Sequence, residues 1–171
     1  MTIDQVAQKL GAVKGADVLK SDPAATGVHL DVVLPPESVR EFAEAVRSMD
    51  FLIESVSALD AKPDMLMLYH FTAVDVFIRI CARVRLWRGD KRCPTIEDIY
   101  PGANWHERET HDFFGIVFTG HPDMSPLILP EDAGNLMPLL KKEEALKELG
   151  DLLPRFAPPK PAAEEKPEVA Q

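Results

Sequence analysis

The densest run of groups able to do chemistry is His106-Glu107-Arg108-Glu109-Thr110-His111. A zinc-hydrolase helix needs histidines at i and i+4 in the order H-E-x-x-H, with the glutamate as general base. Here the histidines sit five positions apart, about 140° around a helix of 3.6 residues per turn, so they cannot share one metal face. Glu107 and Glu109 fall on different sides of the same helix and make a poor acid–base pair. His121-Pro122-Asp123 could hold a metal in isolation, but a capped turn suits the residues better. The two cysteines, Cys81 and Cys93, rule out a disulfide framework and cannot alone supply the four thiolates of an iron–sulfur or zinc site. The sequence contains no G-x-S-x-G elbow, P-loop or G-x-G-x-x-G fingerprint.

A second concentration of charge is Val76–Trp87, where the even positions are Val76, Ile78, Ile80, Ala82, Val84 and Leu86. A period of two places them on one face of a strand and Phe77, Arg79, Cys81, Arg83, Arg85 and Trp87 on the other. Such arginines are ordinary on the solvated side of a half-buried sheet. Arg79, Arg83, Arg85 and Trp87 are also residue types favoured at protein interfaces. An anionic ligand on this face is a third reading. Groove binding to RNA fits poorly with a chain of net charge −9.

These groups need elements to hold them. Asn104 can cap a helix over 105–114, with Glu107 at N3 as a capping-box variant and Gly115 at the C′ position. On that helix Arg108 and Asp112, and Glu107 and His111, stand four apart and can pair. Trp105, Phe113 and Phe114 beside them admit two readings. One is a salt-bridged helix with aromatics in the core; the other is a set of partly buried charges that fix the next loop or a partner. Upstream, Ile3, Val6, Leu10 and Val13 predict a short amphipathic helix. Residues 28–35 alternate as a half-buried strand, and 36–49 form a helix with Val39, Phe42, Ala43 and Val46 as its stripe. Residues 51–59 and 65–73 read as strands, and 88–104 as a loop. The order implies an α+β fold: a mixed or antiparallel sheet with helices packed on one face, then a short motif helix, an extended loop and a disordered tail.

The 171 residues, 46% hydrophobic and 27% charged, suit a soluble domain with a sizeable core. Residues 154–171 hold five of the 15 prolines and read as disordered. From Lys141 onward six basic and seven acidic residues give −1, so the acidity belongs to the body. The N-terminal residues lack the pattern of a secretory signal. No stretch is long and apolar enough to span a bilayer, so membrane contact is expected only through partners.

The run from Ala103 to Asp132 resembles the 30 kDa subunit of the proton-pumping NADH–quinone oxidoreductases (respiratory complex I). The matching residues are Ala103-Asn104-Trp105, Glu107-Arg108-Glu109 and Asp112-Phe113-Phe114-Gly115-Ile116. They continue through Phe118, Gly120-His121-Pro122-Asp123 and Leu127 to Asp132. The resemblance implies a non-catalytic subunit with no cofactor of its own. NAD, flavin, iron–sulfur clusters and quinone would lie elsewhere in the complex. It implies packing against the iron–sulfur and quinone-site subunits, in the arm on the cytoplasmic face of the inner membrane. Trp105, Glu107, Arg108, Glu109, Asp112, Phe114, Gly115, His121, Pro122 and Asp123 then become structural and interfacial. Arg108, Glu109, Asp112 and His121 would be the polar elements, with Trp105 and Phe114 packing beneath them.

On this reading residues 1–132 form the domain, 133–153 wrap a partner with Lys141 and Lys142 on its surface, and 154–171 are a tail. The family pattern places a basic residue just after the H-P-D-[LM] turn, where this chain has Ser125-Pro126. Residues 133–142 also depart from it. Related hydrogenases, and dehydrogenases fed by ferredoxin or a deazaflavin, reuse this subunit, which leaves the electron donor open.

Overall fold

The computed structural model describes residues 1–134 and 136–156. Helix α1 (Ile3–Leu10) opens with a capping box between Thr2 and Gln5 and buries Val6 and Leu10. Strand β1 (Asp17–Lys20), the short helix α2 (Pro23–Thr26) and strand β2 (Leu30–Leu34) follow. Helix α3 (Val39–Arg47) buries Val39, Phe42, Ala43 and Val46, the expected stripe. Strands β3 (Leu52–Leu59), β4 (Asp64–Ala73) and β5 (Ile78–Trp87) make an antiparallel meander. The sheet order is β1-β2-β5-β4-β3, and β2 pairs with β5 in parallel. The sheet is therefore mixed, one of the two forms expected for the α+β fold.

The period of two in β5 sets the packing. Ile78, Ile80, Ala82, Val84 and Leu86 share one core with Met65, Met67, Tyr69 and Phe71 of β4, the stripe of α3, and Val6 and Leu10 of α1. The strand starts two residues later than the alternation suggests. Val76 and Phe77 belong to the turn after β4, where Phe77 has φ 50° and is exposed. They therefore lie outside the alternating faces.

Residues 88–104 are not all loop. Strand β6 (Arg92–Pro94) pairs in parallel with β7 (Val117–Thr119), and helix α4 (Ala103–Phe114) connects them. Three-residue strands are too short for a period to register. Helix α5 (Leu149–Leu152) lies on the sheet face opposite α1 and α3, where Leu149 buries Leu66 and Ala61. Leu68, Leu152, Leu153 and Phe156 surround that contact.

The C-terminal segment, expected to wrap a partner over 133–153, here lies against its own chain. Lys141 N–H donates to the buried carboxylate of Asp60 (2.8 Å), which also takes Arg88. Leu149 N–H donates to the Lys62 carbonyl (2.9 Å). The expected tail begins inside this packed segment: Pro154–Phe156 form a 3-10 turn, and Arg155 donates to Asp31 and Asp17. The rest of the expected tail, 157–171, lies outside the described residues.

Candidate functional site

Helix α4 starts two residues before the expected position. Gly102 is its N-cap with helical backbone angles, and no side chain caps it. The preceding turn runs straight into the helix through Ala103 N–H to Tyr100 O (2.7 Å) and Asn104 N–H to Pro101 O (3.2 Å). Asn104 is thus inside the helix, and the capping-box reading of Glu107 fails. Glu107 instead lies on the inward stripe of Ala103, Glu107, Thr110 and Phe114, all buried. It accepts from the Ile96 N–H (2.9 Å) and the Thr95 hydroxyl. Burial pushes its carboxyl up to about 7 against the pull of these two donors.

The expected i,i+4 pairs do not form, because each partner is used elsewhere. Arg108 donates to the Ser125 carbonyl (3.0 Å), the Ser125 hydroxyl (3.1 Å) and the Pro126 carbonyl (3.2 Å). Asp112 Oδ2 accepts the backbone N–H groups of Leu127, Ile128 and Leu129 at 3.0, 2.8 and 3.1 Å. Burial raises the Asp112 carboxyl, but the three donors together outweigh it and hold it below the usual carboxylate range. His111 Nδ1–H donates to the Ile116 carbonyl (2.8 Å). Arg108 and Asp112 thus fasten residues 125–129 to the side of α4. This is the second reading of the charges: partly buried groups that fix the next loop. Arg108 uses the two residues, Ser125 and Pro126, at which the chain departs from the family pattern.

Gly115 ends α4 at φ 67°, the left-handed conformation a side chain resists. Beside it, Lys91 Nζ donates to the Phe114 carbonyl (2.9 Å), a cation at the helix C-terminus. His121-Pro122-Asp123 is a capped turn: Asp123 N–H donates to His121 Nδ1 (3.1 Å), and Asp123 accepts from Ser125 N–H (2.9 Å). Pro122 is exposed, Glu109 is half-buried and Phe114 is buried, but Trp105 does not pack beneath the polar groups. It stands 69% exposed on the outward side of α4. Periodicity gives the faces of a helix without telling which one meets the sheet. Among the described residues, no group of three or more His, Cys, Asp or Glu side chains is placed to hold a metal.

The arginine face is spoken for within the chain. Arg79 pairs with Glu54 (2.7 Å), Arg83 with Asp31 (2.8 Å) and Arg85 with Asp64. Arg155 adds a second cation to Asp31 (3.0 Å), and Arg85 lies over the Phe156 ring. Asp31 and Asp64 come from the strands on either side of β5, and Glu54 reaches Arg79 from β3, one strand further along. Cys81, on the same face, is buried, while Trp87 remains exposed. Lys141 and Lys142 are exposed beyond them. The structure thus separates the two sets named from sequence: the motif residues gather around α4, and the arginines line the far side of β5. Sequence reasoning missed Thr95, Ile96 and Lys91, which complete the α4 surroundings from a stretch read as loop. Also missed was Asp60, the buried anchor of the C-terminal segment.

The arrangement is an α+β body in which Arg108 and Asp112 fasten a surface loop to a helix. Solved structures share it. The chain superposes on a chain of the "membrane-bound sulfane sulfur reductase (MBS), an archaeal respiratory membrane complex" with TM-score 0.69, at 23% identity over 98% of each chain. At that identity the likeness shows the fold alone. The trypsin-resistant fragment (1-134) of Nqo5 superposes with TM-score 0.60 at 31% identity, covering 72% of this chain and 99% of that one. The family described as "Respiratory-chain NADH dehydrogenase, 30 Kd subunit" matches residues 32–148, and the chain belongs to it.

Among curated relatives, the C subunit of the NADH-quinone oxidoreductase from Roseiflexus sp. (strain RS-1) is 36% identical over 110 residues. That match covers 60% of this chain and 63% of the relative. The C subunit of the F(420)H(2) dehydrogenase from Methanosarcina mazei is 33% identical over 110 residues, covering 63% and 69%. The chain therefore spans less than two thirds of the Roseiflexus protein it matches. No helix among the described residues is long and apolar enough to cross a membrane.

Proposed function

We propose that this chain is a non-catalytic peripheral subunit of a proton-translocating NADH–quinone oxidoreductase. It packs against the iron–sulfur and quinone-site subunits, on the cytoplasmic face of the membrane, and supports electron transfer to quinone without a redox centre of its own. NAD, flavin, clusters and quinone belong to its partners. The observation that carries this reading is how the motif groups are used. Arg108 and Asp112 are committed to backbone atoms of residues 125–129. On α4 and the segments after it Trp105, Val117, Ile128, Leu136 and Leu139 stay exposed. A motif that spends its charges on shaping a loop and leaves large apolar groups outside on the helix and the segments that follow it suits a surface to be covered.

A second reading has support of its own, because the Methanosarcina relative is named for F(420)H(2) rather than NADH. The same structural role in a deazaflavin- or ferredoxin-linked dehydrogenase or hydrogenase would use the same surface. A stand-alone anion-binding module is less favoured, because the arginines it would need are paired with Glu54, Asp31 and Asp64.

The test is a tagged pull-down from gently solubilised native membranes, with every co-purifying chain identified. Flavin and NADH subunits alongside iron–sulfur and membrane chains support the first reading. The same core with a nickel or ferredoxin-linked chain supports the second. Recovery of this chain alone overturns both.

A further inference from the structure

The inward face of α4 holds an acid in a place where a core residue would be expected. The Glu107 side chain is fully enclosed. Two donors reach it, Ile96 N–H and the Thr95 hydroxyl. Thr95 Oγ1 itself accepts the Glu97 N–H (3.1 Å), which leaves the hydroxyl hydrogen for Glu107. Across from them lies His121. Asp123 N–H donates to its Nδ1, so the ring hydrogen sits on Nε2. That Nε2 is enclosed and is, among the described residues, the buried side-chain polar atom without a hydrogen-bond partner. It faces Glu107 Oε2 at 3.9 Å. The gap is about 1 Å too long for a hydrogen bond and too short for a bridging water, which would need about 4.5 Å.

Neighbouring charge relieves the acid only weakly: the Arg40 cation interacts with it, as the smallest of that arginine's influences. Arg40 of α3 is the cation on this side, and both of its outer nitrogens are held by Asp98 (2.7 Å each) while one also reaches the Thr95 carbonyl (2.8 Å). Glu97 and Asp98 add negative potential at Glu107. Tyr69 of β4 and Cys93 of β6 contact each other (3.4 Å), and burial holds both in their neutral forms. An enclosed acid with two donors and a third donor poised just out of reach is a two-position device.

We propose that Glu107 is a buried proton-binding site whose ionisation draws in His121 Nε2–H as a third donor and tightens the Gly120–Asp123 turn onto α4. With the proton on, the acid is neutral and His121 stays at a distance. With the proton released to solvent, the carboxylate takes up the free donor. The turn leads directly into the loop that Asp112 fastens, so the shape of the motif surface follows the proton. This device stands apart from the identity of any partner.

The test is a pH titration of the full chain, labelled with 13C and 15N and followed by NMR. The Glu107 carboxyl carbon is expected to titrate near 7, with a hydrogen on His121 Nε2 once the carboxylate is ionised. The protection factor of the Asp123 amide should rise severalfold through the same midpoint. His121→Ala removes the third donor and should make Glu107 about tenfold weaker as an acid, one pH unit. Glu107→Gln should abolish the step at His121 and Asp123. A Glu107 midpoint at the ordinary carboxylate value, a ring hydrogen on Nδ1, or a step that survives Glu107→Gln overturns the proposal. Should the glutamine variant not fold, the carboxyl and ring signals of the unaltered chain decide alone.

Discussion

Replacing Glu107 with glutamine should make the protein more stable at alkaline pH and leave it nearly unchanged in acid. Glutamine has the same shape. Its carbonyl can accept from Ile96 N–H, and its amide can donate to Thr95 Oγ1, so the packing survives while the titrating proton does not. In the unaltered chain the carboxyl rises from the usual 4.5 to about 7 on folding, chiefly through burial. Such a group favours the folded state when protonated. The contribution is fully present below about pH 4.5 and is lost as pH rises through 7. At about 1.4 kcal/mol per pH unit between the two values, the loss is about 3 kcal/mol. For a domain of this size that is a sizeable part of the total.

The assay is urea unfolding of both proteins at several pH values. The difference in stability between them cancels the other carboxylates, which titrate alike in each. The variant is expected to gain about 3 kcal/mol over the unaltered chain at pH 8 and to match it at pH 4.5. A difference that does not change with pH, or a variant less stable at pH 8, would refute the reasoning and show that the ionised carboxylate is a net stabiliser.

Three further outcomes follow from the geometry. Asp112→Ala strips the acceptor from three amides, so Leu127, Ile128 and Leu129 should lose at least tenfold in exchange protection, about 1.4 kcal/mol; unchanged protection would mean Asp112 does not hold the loop. Trp105→Ala should leave stability within about 0.5 kcal/mol, as at other exposed sites, yet lower the yield of partner chains in the pull-down; a large drop in melting temperature would place Trp105 in the core after all. Arg155→Ala should free the C-terminal segment from Asp17 and Asp31 and speed labelling of Cys81 by a thiol reagent, with buried Cys93 as the internal control. Equal rates before and after the change would show that the segment does not shield that face.

Much of the body was legible because its patterns are long. The alternation through Ile78–Leu86 and the stripe Val39, Phe42, Ala43 and Val46 each repeat often enough to exclude another period. β6 and β7 escaped because three residues carry no period, and their parallel pairing depends on α4 bringing them together. At the motif, residue types were readable but their partners were not. A glutamate three places after an asparagine looks like a capping box, and only the turn at Tyr100–Gly102 reveals that the helix has already begun. Arg108 and Asp112 stand at the spacing of a surface pair. The loop 125–129, which has no pattern of its own, offers each a better partner in backbone groups that need satisfying. Glu107 left one trace in the sequence: it falls on the same helical face as Ala103, Thr110 and Phe114, where a charge is out of place.

The parallel seam between β2 and β5 governs the order in which this chain can assemble. β3, β4 and β5 pair with neighbours joined by short turns, so their contacts close small loops. β2 must wait for a strand whose first paired residue, Ile80, lies fifty positions beyond its own Leu30. β1 in turn pairs, among the described residues, only with β2. During synthesis β1 and β2 can pair with each other, but they emerge without the strand they dock on and cannot join the sheet until the ribosome has released residue 84. Local contacts form faster than distant ones, so the meander is the platform and the first strands are late arrivals. Pulse-labelled amide exchange during refolding should protect Tyr69 and Ala82 before Val18 and Val32. The reverse order would mean that the N-terminal segment organises itself first.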